Sequence, residues 1–176
     1  MQIPSITLVI GGASSGKSAW AEAFVRRSGL AKVYVATAEA GDAEMEAKIA
    51  AHRRARAGQG WRTVEAPERL AFALAEIEAE EIALIDCATF WLANAMHASR
   101  PWRDGLVELI DVMDQCPAPL VIVTNELGQG IVPADMATRM FRDAHGQMNQ
   151  ELAAAADLAV LVTAGLATTL KGDIPW

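Results

Sequence analysis

The chain has 176 residues, 52% of them apolar, with 15 Lys and Arg against 22 Asp and Glu for a formal net charge of −7. That length and apolar content predict one domain over residues 1–176, and the negative balance argues against nucleic acid or an anionic membrane as a partner. No run approaches the ~18 apolar residues that span a bilayer, and no cationic stretch leads into a long apolar segment at the start, so a cytoplasmic location is expected.

The run Ile6-Thr7-Leu8-Val9-Ile10 reads as a buried strand, and Ala19 to Val25 as the helix after it. Between them Gly11-Gly12-Ala13-Ser14-Ser15-Gly16-Lys17-Ser18 fits the phosphate-binding spacing G-x-x-x-x-G-K-[ST]. A strand must stop there, a glycine-rich loop must turn successive backbone N–H groups inward, and a helix must start with its positive dipole end toward the phosphates. Lys17 would then reach the β- and γ-phosphates, and the Ser18 hydroxyl would help hold Mg²⁺. Lys32 to Thr37 reads as a second strand, followed by a charged helix over about Asp42 to Arg56. Trp61 to Glu65 reads as a short strand, and Pro67 as the opening of a helix running to about Glu80. Ile82-Ala83-Leu84-Ile85-Asp86 is an apolar strand ending in a carboxylate, placed to hold Mg²⁺ directly or through water.

Two helices, about Thr89 to Ser99 and Pro101 to Gln115, precede the strand Leu120 to Thr124. The polar Thr124-Asn125-Glu126 then emerges at the carboxyl edge of the sheet, and Gly128-Gln129-Gly130 with Pro133 suits a mobile loop over the site. Ala134 to Ala156 predicts a long helix whose Met136, Met140, Phe141, Met148 and Leu152 form a buried stripe, before a last strand over Leu158 to Val162. The loosest stretches are Ala57 to Gly60 and the tail after Leu166. Strands apolar at every position, alternating with helices, predict an α/β fold with a mostly parallel sheet covered on both faces and ligands at the strands' carboxyl ends. Cys87 and Cys116 match neither a disulfide framework nor a C-x-x-C spacing and read as reduced core thiols.

His52 sits late in the cationic helix, with Lys48, Ile49 and Arg56 on its own side and Arg53 next to it. Those cations would suppress the imidazolium and grip a polyphosphate while the neutral ring attacks it. A solvated helix face is the plainer meaning of the same spacing. His97, near a helix end, and His145, beside Arg142 and Asp143, read as structural.

Four blocks together resemble the bifunctional adenosylcobinamide kinase / adenosylcobinamide-phosphate guanylyltransferase family over nearly the whole chain. They are Ile10 to Ser18; Tyr34-Val35-Ala36-Thr37 with Glu44-Met45 and His52; Trp61 to Glu65; and Val123 to Gly128 through Gly130 to Pro133, Phe141-Arg142-Asp143, Gly146 and Asn149 to Ala156-Asp157. The resemblance implies a RecA-like P-loop NTPase fold, a homotrimer, and two reactions. The hydroxyl of the aminopropanol arm of adenosylcobinamide is phosphorylated by ATP or GTP, and GMP then passes from GTP to the new phosphate through a histidine bearing GMP. His52 is the only histidine in the matching block, so the resemblance makes it the nucleophile. It also implies that Gly11 to Ser18 bind the phosphates and that Thr37, Ala38, Glu39, Arg53, Arg54, Ala55 and Arg56 lie along the GTP site. Glu65 and Asp86 approach the nucleotide or its Mg²⁺. The chain departs from the family at Ser14, where Arg is common, and at Ala51, where some members carry a second histidine. A single-step small-molecule kinase and a nucleotide-dependent interaction module are the competing readings of the same scaffold.

Overall fold

Strand and helix alternate along the chain as β1 (Ile6–Gly11), α1 (Lys17–Ser28), β2 (Ala31–Ala36), α2 (Ala43–Arg56), β3 (Trp61–Glu65), α3 (Leu70–Ala75), β4 (Glu81–Asp86), α4 (Ala88–His97), α5 (Trp102–Gln115), β5 (Leu120–Asn125), α6 (Met136–Ala155), β6 (Leu158–Thr163) and β7 (Leu166–Lys171). The computed structural model describes residues 3–39 and 43–176, without the side chains of Ala43, Glu44, Met45, Lys48, His52 and Ala55. The strands form one sheet in the order β3-β2-β4-β5-β1-β6-β7, parallel except for β7. Parallel strands must be joined by crossovers that cover the sheet, which is why β1 is buried at all six positions.

The pleat divides the core into two halves. Leu8, Ile10, Val33, Val35, Ile85 and Ile122 face α3, α4, α5 and α6, whereas Val9, Tyr34, Leu84, Val121 and Val160 face α1 through Ala21, Phe24 and Val25. Trp176 closes that second half, its ring 4.8 Å from Phe24. Because β1 lies between β5 and β6, chain crossings leave it in opposite directions, and its carboxyl end opens onto a crevice of the kind that receives ligands in doubly wound sheets. Among the described residues no helix is long and apolar enough to cross a membrane.

Three expectations are corrected. The helix after Pro67 covers only Leu70–Ala75. Ile77 turns into the core, and Glu81, held by Arg62, accepts the Glu78 N–H at 3.0 Å, so the chain turns toward β4 instead of continuing. The tail after Leu166 is ordered as the edge strand β7, because Ala164 (φ 52) and Gly165 (φ 80) form a tight left-handed turn that sends it back along β6. Finally, Met148 and Leu152 are buried, but Met136 and Met140 are 68% and 56% exposed, since the first turns of α6 reach past the edge of the core.

That split is measurable. Met148→Ala should lower unfolding free energy by about 2–5 kcal/mol in urea titration, whereas Met140→Ala should stay within about 0.5 kcal/mol of the parent.

Candidate nucleotide site

The loop after β1 closes tightly enough that a Cβ on Gly11 would lie 2.7 Å from the Val162 carbonyl oxygen and closer still to the Ser15 hydroxyl. Gly16 caps α1 with φ 94, and a Cβ there would lie 3.0 Å from Gly165 Cα. The Gly165 N–H donates to the Ser15 carbonyl at 2.8 Å, so the turn between β6 and β7 buttresses the loop. No side chain caps α1 and no acidic residue sits in its first turn, which leaves its leading N–H groups and its dipole to an anion. The Lys17 ammonium donates to the Gly12 carbonyl at 3.1 Å, within the loop it would serve.

Beside the loop lies a cleft of about 680 Å³. Its walls bring together Ala13, Ser14, Lys17 and Ser18 of the loop, Ala38 and Glu39 after β2, Ile49, Arg53 and Arg56 of α2, Glu65 of β3, Asp86 of β4 and Asn125 of β5. Gly11, Gly12, Ser15 and Gly16 shape the loop without lining the cleft, and Arg54 is exposed outside it. Thr37 is fully buried. Its hydroxyl donates to the Cys87 carbonyl at 2.7 Å and accepts the Cys87 N–H at 2.8 Å, tying β2 to the end of β4. Asn94 adds bonds to the Thr37 and Pro67 carbonyls at 2.9 and 3.0 Å.

The His52 and Ala55 side chains lie outside the description, but the backbone of both is in α2. With about 100° per residue, position 52 stands about 40° around the helix from Arg56 and about 60° from Ile49, at the margin of the face that lines the cleft. Arg53 pairs with Glu65, but both are more than half exposed, so that pair is worth at most about 1 kcal/mol.

Arg56 differs from its neighbours. It is 6% exposed, its Cζ is 3.3 Å from the centroid of the Tyr34 ring, and its Nη1 is 3.7 Å from Glu22 Oε1, an ion-pair distance too long for a hydrogen bond. Its Nε and Nη1 have no hydrogen-bond partner among the described residues. The Tyr34 hydroxyl donates to Asp86 Oδ2 at 3.1 Å. Burial first, and the Asp86 carboxylate second, hold that phenol well above its usual pKa, so it is a donor at any working pH. Burial likewise pushes the Cys87 thiol up to about 11, which leaves it inert.

No group of three or more His, Cys, Asp or Glu among the described residues could enclose a metal ion. The hard oxygen donors Ser18 and Asp86 in one cleft instead suit Mg²⁺, which is held by one or two protein ligands plus phosphates and water.

A second polar cluster sits under the end of β5. The Thr89 hydroxyl accepts the Asn125 N–H at 3.0 Å and shares a hydrogen bond with His145 Nε2, also at 3.0 Å. Thr124 donates to Asn149 Oδ1 at 2.8 Å, and Asn149 Nδ2 donates to the Asn125 carbonyl at 3.0 Å. Burial holds the His145 pKa below its usual value, which favours the neutral ring. Arg139 and Arg142 of α6 donate to the carbonyls of Gly128, Gly130, Ile131, Pro133 and Ala134, which ties the loop after β5 to the helix. Tyr34, Glu22 and Gly165 were not singled out as site residues from sequence. A glycine at position 165, just past the apolar run of β6, is a local turn signal, while Tyr34 and Glu22 meet their partners only across the fold.

Residues 7–170 match the family model described as cobinamide kinase / cobinamide phosphate guanyltransferase. The chain is 43% identical over 169 residues to the bifunctional adenosylcobalamin biosynthesis protein CobP of Pseudomonas aeruginosa, covering 94% of this chain and 97% of that protein. It is 38% identical over 180 residues to the bifunctional adenosylcobalamin biosynthesis protein CobU of Escherichia coli, covering 93% and 98%. In fold it is similar to the RadB recombinase, with TM-score 0.52 at 14% identity over 90% of this chain and 74% of that one. A type III secretion ATPase gives 0.54 at 13% identity over 94% and 56%. The sheet is thus of the P-loop NTPase type.

The buried histidine sets a pH dependence. A group whose folded pKa is depressed and whose neutral form is native contributes stability in full above its unfolded pKa of about 6.5 and loses it as the pH falls below that value. Urea midpoints should therefore decline from pH 7 to 5, and His145→Asn should flatten that part of the profile while lowering stability at pH 7.

Proposed function

This chain belongs to the cobinamide kinase / cobinamide phosphate guanyltransferase family, and on that premise we propose how its residues divide the two reactions. The activity is that of a transferase of cobalamin biosynthesis acting on a corrinoid. One observation carries the assignment of residues: a phosphate loop, a strand-end carboxylate and the cationic end of α2 converge on one cleft.

In the first reaction the hydroxyl of the aminopropanol arm of adenosylcobinamide attacks the γ-phosphorus of ATP or GTP. Gly11 to Ser18 position the polyphosphate through backbone N–H groups, and Lys17 exchanges the Gly12 carbonyl for the β- and γ-oxygens. Ser18 and Asp86 would hold Mg²⁺, whose charge would offset that of the leaving nucleoside diphosphate. Positioning and charge neutralisation dominate such a transfer.

In the second reaction a His52 nitrogen attacks the α-phosphorus of GTP and pyrophosphate leaves, giving a phosphoramidate. A phosphate oxygen of adenosylcobinamide phosphate then displaces the histidine, yielding adenosyl-GDP-cobinamide. Dividing one transfer into two displacements is the gain. Ser14 stands where arginine is common in the family, and Arg53 and Arg56 are the cations that the cleft wall offers instead. Ala38, Glu39 and Glu65 border the same nucleotide, with Arg54 exposed on α2 and Ala55 next to it in the chain. Thr37 serves it indirectly, by fixing the ends of β2 and β4.

Both reactions are assigned to one domain. Ile131, Val132, Met136 and Met140 are exposed large apolar side chains, which supports a subunit contact, and the homotrimer implied by the family resemblance is the assembly we propose for it. The nucleotide substrates of this enzyme support a cytoplasmic location.

Incubation with Mg²⁺ and GTP labelled at the α-phosphate should leave acid-labile label on the protein, and His52→Ala should abolish it. Lys17→Ala should lower both reactions by roughly a hundredfold or more. Unlabelled parent protein, or γ-phosphate transfer and GMP transfer both intact in His52→Ala, would point to a kinase that transfers GMP without a histidine intermediate.

A further inference from the structure

Tyr34 occupies a sheet position that packing alone would fill with an aliphatic residue. It is paired with Leu84 on one side and Thr63 on the other, and Trp61 meets it edge-on with ring centroids 6.2 Å apart. The phenol oxygen is the one polar atom this position carries, and its bond runs two rungs along the neighbouring strand to Asp86 Oδ2 at 3.1 Å. The bond occupies one carboxylate oxygen, and a residue so held presents its other oxygen in a fixed direction. The face of the same ring carries the Arg56 guanidinium, with Cζ 3.3 Å from the centroid. One side chain therefore touches the carboxylate assigned to the metal and the end of the helix assigned to GMP transfer.

From this we infer that Tyr34 is a positioning residue for both half-reactions, acting through its hydroxyl on Asp86 and through its ring on Arg56. The inference deepens the proposed site and rests on Asp86 holding the metal. Partners that orient metal ligands without touching the metal typically tune affinity by 10–100-fold, and a hydrogen bond to a charged group is stronger than one between neutral partners. A desolvated cation over an aromatic face is similarly specific, since an aliphatic replacement offers no negative π-face. The two functions separate by mutation: phenylalanine keeps the ring and loses only the hydroxyl, while leucine loses both.

The test titrates Mn²⁺, as a paramagnetic probe of the Mg²⁺ site, into protein carrying a non-hydrolysable GTP analogue and counts free ion by electron paramagnetic resonance. Tyr34→Phe should weaken Mn²⁺ about tenfold and raise the Mg²⁺ concentration for half-maximal kinase rate, with the rate at saturating Mg²⁺ within about twofold of the parent. Asp86→Asn should weaken Mn²⁺ further, and Tyr34→Phe should add nothing in that background. Tyr34→Leu should in addition raise KM for GTP and slow labelling with GMP, while Tyr34→Phe leaves both near the parent values. Unchanged Mn²⁺ affinity in Tyr34→Phe alongside a large loss in Asp86→Asn overturns the inference and leaves the metal assignment standing. Unchanged affinity in Asp86→Asn overturns the metal assignment and this inference with it.

Discussion

The burial of Arg56 is the interaction on which the geometry of the cleft depends. A guanidinium taken out of water costs several kcal/mol unless it is compensated, and here compensation comes from two elements at once: the Glu22 carboxylate on α1 at 3.7 Å and the Tyr34 ring on β2. The end of α2 cannot drift from the phosphate-loop helix without separating those groups. Compensation is also incomplete, since Nε and Nη1 have no hydrogen-bond partner among the described residues, and an unmet donor costs about 1–3 kcal/mol.

The phosphate loop rests on a comparable arrangement from the other side of β1. Gly11 is compressed against the Val162 carbonyl, and Gly16 against Gly165, whose N–H holds the Ser15 carbonyl. The antiparallel β7 is therefore more than a cover for the edge of β6. It requires the left-handed turn at Ala164 and Gly165, and that turn is the buttress of the loop. The N-terminal motif and the C-terminal hairpin, at opposite ends of the sequence, form one structural unit.

This distribution explains what could be read from the chain. The central strands β1, β4 and β5 are buried at most or all positions, so each carries a continuous apolar run, and the phosphate loop is a local motif; both are visible without the fold. β7 is visible only with it, because just one of its six positions is even partly buried and its sequence therefore lacks a core signature. The 3.6-residue period of α6 correctly joins Met136, Met140 and Met148 on related turns, but periodicity identifies a face and not the point at which the helix outruns the core. Asp86 announces itself as a carboxylate at a strand end. Tyr34 does not, because the partner that gives its hydroxyl a purpose lies 52 residues away on another strand.

Two kinds of polar group consequently meet at the carboxyl edge of the sheet. The Thr37, Cys87 and Asn94 contacts and the Thr89, His145, Thr124 and Asn149 cluster are closed networks, in which hydroxyls and amides meet partners and lock the ends of β2, β4 and β5. Such networks gain rigidity from the low dielectric that surrounds them. His145 illustrates the consequence: it is buried, its pKa is held down, and its Nε2 is engaged by Thr89. Arg56, through Nε and Nη1, and Ser15, through its hydroxyl, are the opposite case, with buried polar atoms that have no partner among the described residues. The closed networks build a frame stiff enough to hold the open groups in place, so a histidine's environment, more than its presence in the sequence, separates a frame residue from a reactive one.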